Sequence, residues 1–501
     1  MLNYTSPLEK LCIKLWTMAK ANTVPLVSGI VSGLLAHMFV LSNKLMNADE
    51  IGALFSKGAT IDSGRWALEL LRAVFPDVSL PWLWGIITIV LISVAACIAL
   101  RIFNIRHNFF RVLLPALFIS FPSLTGTFCF MFTSSSYAVA FLLAILSIWV
   151  YVNVKNRALA WVVSCFLLAF STGIYQAYIA ISASFLVILM FQKLMDGEDA
   201  KAVLFFGVRS VAMLLVSLVF YYGCSLLAVK LSGGEFLAYA IEGDSSLPMR
   251  VLQAYNGFFR SLFSGYFGFV HSKLSFAAHM LGLAVCAVLI IKEVLSFKDI
   301  KKFLLALLCI GLLPLAMNCI YLISSTWVIH SLVLYSFVVI YVFAAVLLDR
   351  AEGLKLLCAR DAAVVCLLLV VISNTFLSNK VYLKLHIQYE NAFAFYTELM
   401  SQVYDTEGFD ENKKLMLIGN QENYVNHPEL DTGDLFGPST DLVNVYTKQY
   451  FIRDYIGYTG EFATMQEIWD NEKSEEVLAM PYYPYEGSVK CVGDYIVVKF
   501  G

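Results

Sequence analysis

The sequence predicts a polytopic α-helical membrane protein with a small α/β domain at its carboxyl end. Of the 501 residues, 59% are hydrophobic and only 14% are charged, and the mean hydropathy is +0.73. Apolar runs of about twenty residues, the length that crosses a bilayer as a helix, recur as far as residue 378. After residue 379 these runs stop, and charged, Asn and Tyr residues become common. The bilayer is therefore the main solvent for most of the chain.

These apolar runs are predicted membrane spans, and they give a bundle of about eleven helices. They cover approximately residues 23–43, 81–100, 112–131, 134–153, 158–173, 175–193, 203–228, 275–292, 303–323, 328–348 and 361–378. The division between the fifth and sixth spans, near Gly173, is the least defined. Three lysines precede the first span, and no small-residue cleavage pattern follows it, which predicts a retained helix.

Short basic connections predict the orientation of these spans. Lys and Arg residues cluster at 101–111, 155–157, 298–302 and 350–355, and the side that carries them is cytoplasmic by the positive-inside rule. The amino terminus is then cytoplasmic, and loops 44–80 and 229–273 lie outside. We expect a membrane domain at 1–378, with interfacial helices in those two loops, and an extracytoplasmic domain at 379–501.

The domain after residue 379 is predicted to mix helices and strands. LMLIGN at 415–420 and the pair SVKCV and DYIVVKF within 488–500 have the composition of strands, with Gly493 and Asp494 between the last two. Segments 386–404, 441–457 and 462–480 have helical spacing. This length is enough for one small α/β domain.

Net charge and cysteine usage exclude some partners. A formal net charge of −2 lacks the basic excess that nucleic-acid binding needs. The eleven cysteines form no CxxC pair and no cluster with histidine, and most stand in apolar runs. We therefore expect them to be small hydrophobic residues rather than metal ligands or a disulfide framework.

The first external loop gathers charge in an otherwise apolar chain. In DSGRWALELLRAVF, residues 62–75, the spacing of Trp66 and Leu70 predicts an amphipathic helix on the outer membrane surface. Asp62 or Ser63 is a candidate cap for its amino terminus, beside Arg65, and together these features favour a phosphate site. The alternative is that Arg65 and Glu69 form only a surface pair.

Asp49 and Glu50 follow the first span by about one helical turn. A carboxylate at the mouth of a cavity between helices can accept the proton of an attacking hydroxyl, and a second one tunes or orients it. Combined with a phosphate clamp, this pair favours glycosyl transfer from a lipid-linked phosphate sugar. The alternative is an ordinary solvated acidic pair.

Polar and aromatic residues elsewhere on the outer side are candidates for the same site. In GIYQAYIA, Tyr175, Gln176 and Tyr178 can contact a sugar. The alternative is that the tyrosines belong to the aromatic belt at the membrane surface and Gln176 to a polar turn. His330 and Arg260 are candidate donor-phosphate contacts, with a solvated histidine and a snorkelling arginine as the alternatives.

With these residues in view, the chain resembles the bacterial membrane glucosyltransferases of the serotype-converting O-antigen type, within the GT-C superfamily. The resemblance rests on NADEIG and IDSGRWALELL in the first external loop, SFPSLTGTFCFMFTSSSYAVAFLLAILS at 120–147, STGIYQAYI at 171–179 and the late MPYYPYEGSVKCVGDYIVVKF. It assigns the essential acidic role to Asp49, where Glu50 replaces the second aspartate of many relatives. The family's Asp-Gly-Arg element is here one residue longer, from Asp62 to Arg65.

The resemblance implies a polyprenyl-phosphate sugar donor, such as undecaprenyl-phosphate glucose, made by a synthase and moved across the cytoplasmic membrane by a flippase. It implies a surface polysaccharide or its lipid-linked precursor as the acceptor. No cofactor is expected, although some GT-C members use a divalent cation, which an Asp-Glu pair can hold.

Two other classes of function fit parts of the sequence. A transporter or flippase of lipid-linked sugars would use the external charges as a gate, but such proteins place ionisable residues near the bilayer midplane and often contain internal repeats. An assembly or receptor protein would use the bundle only as an anchor, for which one helix suffices.

Overall fold

The computed structural model describes residues 6–53, 60–76, 78–236, 246–263, 273–323, 331–351, 354–421 and 442–501. Its helices are α1 (Pro7–Ala21), α2 (Thr23–Ser42), α3 (Ala48–Ala53), α4 (Trp66–Leu71), α5 (Pro81–Ile102), α6 (Asn108–Ser120), α7 (Pro122–Cys129), α8 (Met131–Asn153), α9 (Arg157–Ile174), α10 (Ile179–Met195), α11 (Ala200–Ser232), α12 (Leu247–Phe263), α13 (Lys273–Ser296), α14 (Ile300–Met317), α15 (Ile320–Ile323), α16 (Val339–Asp349), α17 (Leu354–Asp405), α18 (Lys448–Phe451), α19 (Met465–Asn471) and α20 (Glu475–Ala479). The strands are β1 (Lys414–Ile418), β2 (Val489–Val492) and β3 (Tyr495–Lys499).

The predicted fold class is confirmed. Within the described residues, eleven helical segments are long and apolar enough to cross a membrane, and each of them overlaps one predicted span. The uncertain division near Gly173 falls at Tyr175, where α9 ends and a short 3-10 turn, Gln176–Tyr178, leads into α10. The chain is therefore a multi-pass membrane protein.

Two predicted segments belong to one helix. The sequence predicts the last span at 361–378 and a further helical segment at 386–404. In the structure, α17 runs for 52 residues from Leu354 to Asp405. The physical reason is that this stretch contains neither proline nor glycine, so nothing in its backbone interrupts the helical hydrogen bonds where the composition becomes polar.

Contacts divide the chain into two compact units. Unit 1 comprises Met1–Lys44, Gly58–Asn379 and Thr432–Leu435, and unit 2 comprises Leu45–Lys57, Lys380–Asp431 and Phe436–Gly501. Unit 1 contains the helices of the membrane bundle. Unit 2 contains the carboxyl-terminal residues and also a segment from the first long loop, which carries the acidic pair.

Unit 2 is built on a three-stranded sheet in the order β1-β3-β2. The central strand β3 pairs parallel with β1 and antiparallel with β2. Side chains of β1 and β3 alternate between the two faces of the sheet. Leu415 and Val498 belong to one buried cluster, and Met416 and Val497 belong to another. The predicted strands and the turn at Gly493 are confirmed, and the sheet has a core on both faces.

Candidate functional site

The acidic pair stands on a short helix that an asparagine caps. The side-chain oxygen of Asn47 accepts a hydrogen bond from the backbone N–H of Glu50 at 2.9 Å, and Asn47 is 1% exposed. This cap sets where α3 begins and hence where both carboxylates lie. Sequence reasoning missed Asn47, although Asn at the cap with Glu three residues later is a known start signal.

The two carboxylates have different environments. Glu50 is 2% exposed and Ile51 is fully buried, whereas Asp49 is exposed. Ile51 and Met46 belong to the core of unit 2, together with Phe395 and Leu399 of α17. The inner face of α3 is therefore part of the core of unit 2, and Asp49 is the more accessible member of the pair.

Glu50 lies within electrostatic reach of Tyr455. Burial raises the pKa of the Tyr455 phenol well above its usual range, and the negative charge of Glu50 raises it further. Tyr455 belongs to a π-helical turn, Ile452–Ile456, that follows α18. Such turns are rare and frequently mark functional positions, so this segment joins the candidate site in unit 2.

An arginine is held in a fixed geometry on the same turn. The Arg453 guanidinium donates two hydrogen bonds to the Asp454 carboxylate, with Nε to Oδ1 at 2.6 Å and Nη2 to Oδ2 at 2.9 Å. The guanidinium also lies over the ring of Tyr450, 5.2 Å from its centroid. The same ring is close to Gly52 of α3: a Cβ added at Gly52 would lie 3.8 Å from it. No local sequence pattern indicates this cluster, because it joins residues 52 and 450, which are far apart in the chain.

In unit 1, the segment expected to form one helix over residues 62–75 has a turn before a shorter helix. The backbone N–H of Gly64 donates to the Ile61 carbonyl at 2.9 Å and that of Arg65 to the Thr60 carbonyl at 2.7 Å. The helix α4 begins only at Trp66, after Arg65, and no side chain caps it. The expected cap at Asp62 or Ser63 is wrong because Gly64, with φ +76°, turns the chain between them and the helix.

The apolar residues of this segment have two kinds of surroundings. Ala67 and Leu68 are buried, whereas Leu70 is 60% and Val74 is 66% exposed. Trp66 packs as expected, against Phe170 of α9 with ring centroids 5.5 Å apart. A Cβ at Gly173 would lie 2.6 Å from the Trp66 indole, so a residue without a side chain allows α4 to approach α9.

Arg65 contacts an aromatic cluster of the bundle. Its guanidinium carbon lies 5.5 Å from the centroid of the Tyr175 ring, a cation–π distance. Tyr175 is itself stacked on Tyr137, with centroids 4.3 Å apart, and is 4% exposed. The structure therefore brings together Arg65 and Tyr175, two of the residues that the sequence singled out.

Gln176 joins the turn of the first loop to the bundle. Its amide nitrogen donates to the Ser63 carbonyl at 2.8 Å and to the Tyr221 hydroxyl at 3.1 Å. Tyr178 is 1% exposed, inside the same aromatic cluster at 5.2 Å from the Tyr175 ring. Sequence reasoning missed Tyr221, because a tyrosine in an apolar span carries no local signal of a partner in another loop. A sugar contact for Tyr175, Gln176 or Tyr178 stays a prediction.

The remaining predicted residues are more scattered. Asp62 is half-buried, and its carboxylate would lie 2.6 Å from a Cβ at Gly234, so backbone after α11 approaches it closely. Arg260 is exposed on α12. His330 lies outside the described residues. Across the part of the chain that the structure describes, no group of three or more His, Cys, Asp or Glu side chains could hold a metal ion.

Alanine in place of Gly64 is expected to destabilise the protein by about 1–2 kcal/mol or more, because left-handed backbone costs that much for a residue with a Cβ. The added atom would also lie 2.6 Å from the Tyr221 hydroxyl, disturbing the bond between Tyr221 and Gln176. Thermal unfolding of the purified protein in detergent measures the change. Gly223→Ala is the matched control, since a Cβ at Gly223 meets nothing within 4 Å. Equal melting temperatures for the two variants would contradict the prediction.

Comparison with known families agrees with the resemblance in the sequence. The family model described as Glucosyl transferase GtrII matches residues 38–348. The matched region includes the acidic pair, Arg65 and the 175–178 turn. No curated protein and no solved structure gives a significant match to the chain.

Proposed function

We propose a specific reaction for this chain, which belongs to the GtrII glucosyltransferase family since the family model covers more than half of it. Membership makes the protein a glycosyltransferase of the membrane. The reaction that we propose is the transfer of a hexose, most simply glucose, from a polyprenyl-phosphate sugar to a cell-surface polysaccharide or its lipid-linked precursor, with inversion at the anomeric carbon.

The observation that carries this proposal is the position of the acidic pair. Within the family-matched region, Asn47 and the core of unit 2 fix α3 so that Glu50 is 2% exposed while Asp49 remains accessible. A fixed, accessible carboxylate beside a buried one suits a general base with a positioning neighbour. We therefore assign the base to Asp49 and a positioning role to Glu50.

In the proposed step, Asp49 accepts the proton of an acceptor hydroxyl as that oxygen attacks the anomeric carbon of the donor. The bond from this carbon to the phosphate oxygen breaks, and polyprenyl phosphate leaves with the electron pair. A single displacement of this kind inverts the configuration. Arg65, kept in place by its contact with Tyr175, is the residue that we assign to the phosphate, whose charge increases as the bond breaks.

The location of the reaction is part of the proposal. We place transfer on the outer face of the bacterial cytoplasmic membrane, with the amino terminus inside and unit 2 outside, because the short connections that carry Lys and Arg lie on one side of the predicted spans. A donor charged in the cytoplasm then requires a synthase to make it and a flippase to move it across.

Sugar transfer from a panel of radiolabelled polyprenyl-phosphate hexoses to native cell-envelope polysaccharide tests this function. We expect the purified wild-type protein to use one donor far better than the others, and to yield the anomer opposite to that of the donor. Retention of configuration would overturn the single displacement. If no donor is used although the acceptor is suitable, while liposomes that contain the protein translocate the same lipids, the chain is a transporter.

A further inference from the structure

Unit 1 contains a cavity of about 570 Å³ among the helices α12, α13, α14, α16 and α17. Its volume lies in the roughly 300–1,000 Å³ range of sites for organic ligands. Among the described residues that line it, only Tyr255, His279 and Tyr341 carry a side-chain oxygen or nitrogen, and the Tyr255 hydroxyl already donates to the Gly311 carbonyl at 2.7 Å. The cavity is therefore built for an apolar occupant.

Two glycines on adjacent helices leave room in the walls. Gly282 of α13 and Gly311 of α14 both line the cavity. A Cβ at Gly311 would meet nothing within 4 Å, and one at Gly282 would meet only the Cys366 Cβ at 3.8 Å. Larger residues would therefore fit at either position without a backbone clash, and would fill space that an occupant needs.

One wall of the cavity carries two aromatic rings on a helix that also bears a cation outside the lining. Phe259 and Phe263 of α12 line it and are 48% and 50% exposed, so the described protein does not seal this side. Arg260 is exposed on the same helix, between these two residues. An occupant with an apolar chain and an anionic head would match both the lining and the nearby charge.

We propose that this cavity binds part of the isoprenoid chain of the lipid-linked donor, with Arg260 facing its phosphate. This inference rests on the proposed function, since that function supplies a membrane lipid that joins a long apolar chain to a phosphate. The four membrane spans that form most of the wall, α13, α14, α16 and α17, place the cavity where such a chain resides. A recess for the chain would hold the donor during transfer and favour donors with long chains.

The test measures binding of undecaprenyl phosphate, without sugar, to the full-length protein in detergent. We expect Gly282→Phe and Gly311→Phe each to weaken binding by at least about tenfold, since excluding two methylene groups from an apolar site costs that much. Gly223→Phe is the matched control, on α11 and away from the cavity, with open space around its Cβ, and it should bind as the wild type does. Thermal unfolding shows that each variant is folded.

A second measurement separates loss of the chain site from general damage. The cavity variants should transfer sugar from a donor with only two isoprene units at the wild-type rate, and should have a raised KM only for the long-chain donor. Unchanged binding of undecaprenyl phosphate by both variants would overturn the inference. So would equal binding of phosphatidic acid, which has the same phosphate on acyl chains, because the cavity would then be a general lipid site.

The two proposals fail in different ways. If the wild type binds undecaprenyl phosphate and the cavity variants lose it, but no sugar is transferred from any donor, the cavity assignment stands and the proposed reaction does not. If transfer is normal and filling the cavity changes neither binding nor the preference for chain length, the reaction stands and the cavity assignment does not.

Discussion

Asparagine in place of Asp49 is expected to reduce sugar transfer by about 10²- to 10⁴-fold, the usual contribution of a general base. The substitution keeps the size of the side chain but removes its ability to accept the proton of the acceptor. Since Asp49 is exposed and Ile51 provides the core contacts of α3, the variant should fold normally. The decrease should appear in kcat, with little change in KM for the donor.

Two controls sharpen this result. Asp494→Asn makes the same chemical change at an exposed turn of unit 2, and transfer should be unaffected. Glu50→Gln removes a buried carboxylate from beside Tyr455, so we expect a lower melting temperature together with a shifted pH profile of transfer. If Asp49→Asn transfers sugar at the wild-type rate while Glu50→Gln is folded and inactive, the two roles are exchanged.

Glutamine in place of Arg65 is expected to reduce transfer on the order of a hundredfold or more, as is typical when a donor to the developing negative charge is removed. Arg65→Lys keeps the charge but loses the planar group that lies over Tyr175, so it should recover only part of the rate. The values of kcat/KM for the preferred donor measure both effects. The loss should not depend on which acceptor is used.

Arg72→Gln is the control for Arg65. Arg72 pairs with Glu69 on the same short segment, and Glu69 also accepts a hydrogen bond from the Thr60 hydroxyl at 3.0 Å. Losing that pair should lower thermal stability slightly and leave kcat near the wild-type value. If Arg65→Gln likewise changes only the melting temperature, its contact with Tyr175 is structural and another cation binds the phosphate.

The parts of the fold that were predicted from the sequence are those set by local composition. A run of twenty apolar residues has one main way to satisfy its backbone in a bilayer, so all eleven spans were found. The same holds for the turn at Gly493 between two strands. The helix α17 shows the limit of this reasoning, because a change from apolar to polar residues near position 379 did not end the helix.

The sequence identified individual residues of the candidate site but not the contacts between them. Local spacing singled out Arg65, Tyr175 and Gln176, and the structure places them together. Local spacing could not show that Gln176 forms a hydrogen bond with Ser63, because 113 residues separate them. Nor could it show that Gly64 makes room for Tyr221. Contacts of this kind depend on how helices pack, which hydrophobic periodicity does not encode.

The segment Leu45–Lys57 belongs to unit 2 although it precedes the rest of that unit by more than 300 residues of chain. Met46 and Ile51 share one core with residues of α17 and of β1 and β3, so mutations on either side of that gap act on the same packing. A chimera that exchanges residues 380–501 between two relatives would therefore join halves of a core that were never selected together. Exchanging residues 45–57 with them would keep each core intact and would transfer the acidic pair along with the tail that supports it. In this chain, the piece of sequence that can be inherited as a module is discontinuous, and it includes the base that we assign to the reaction.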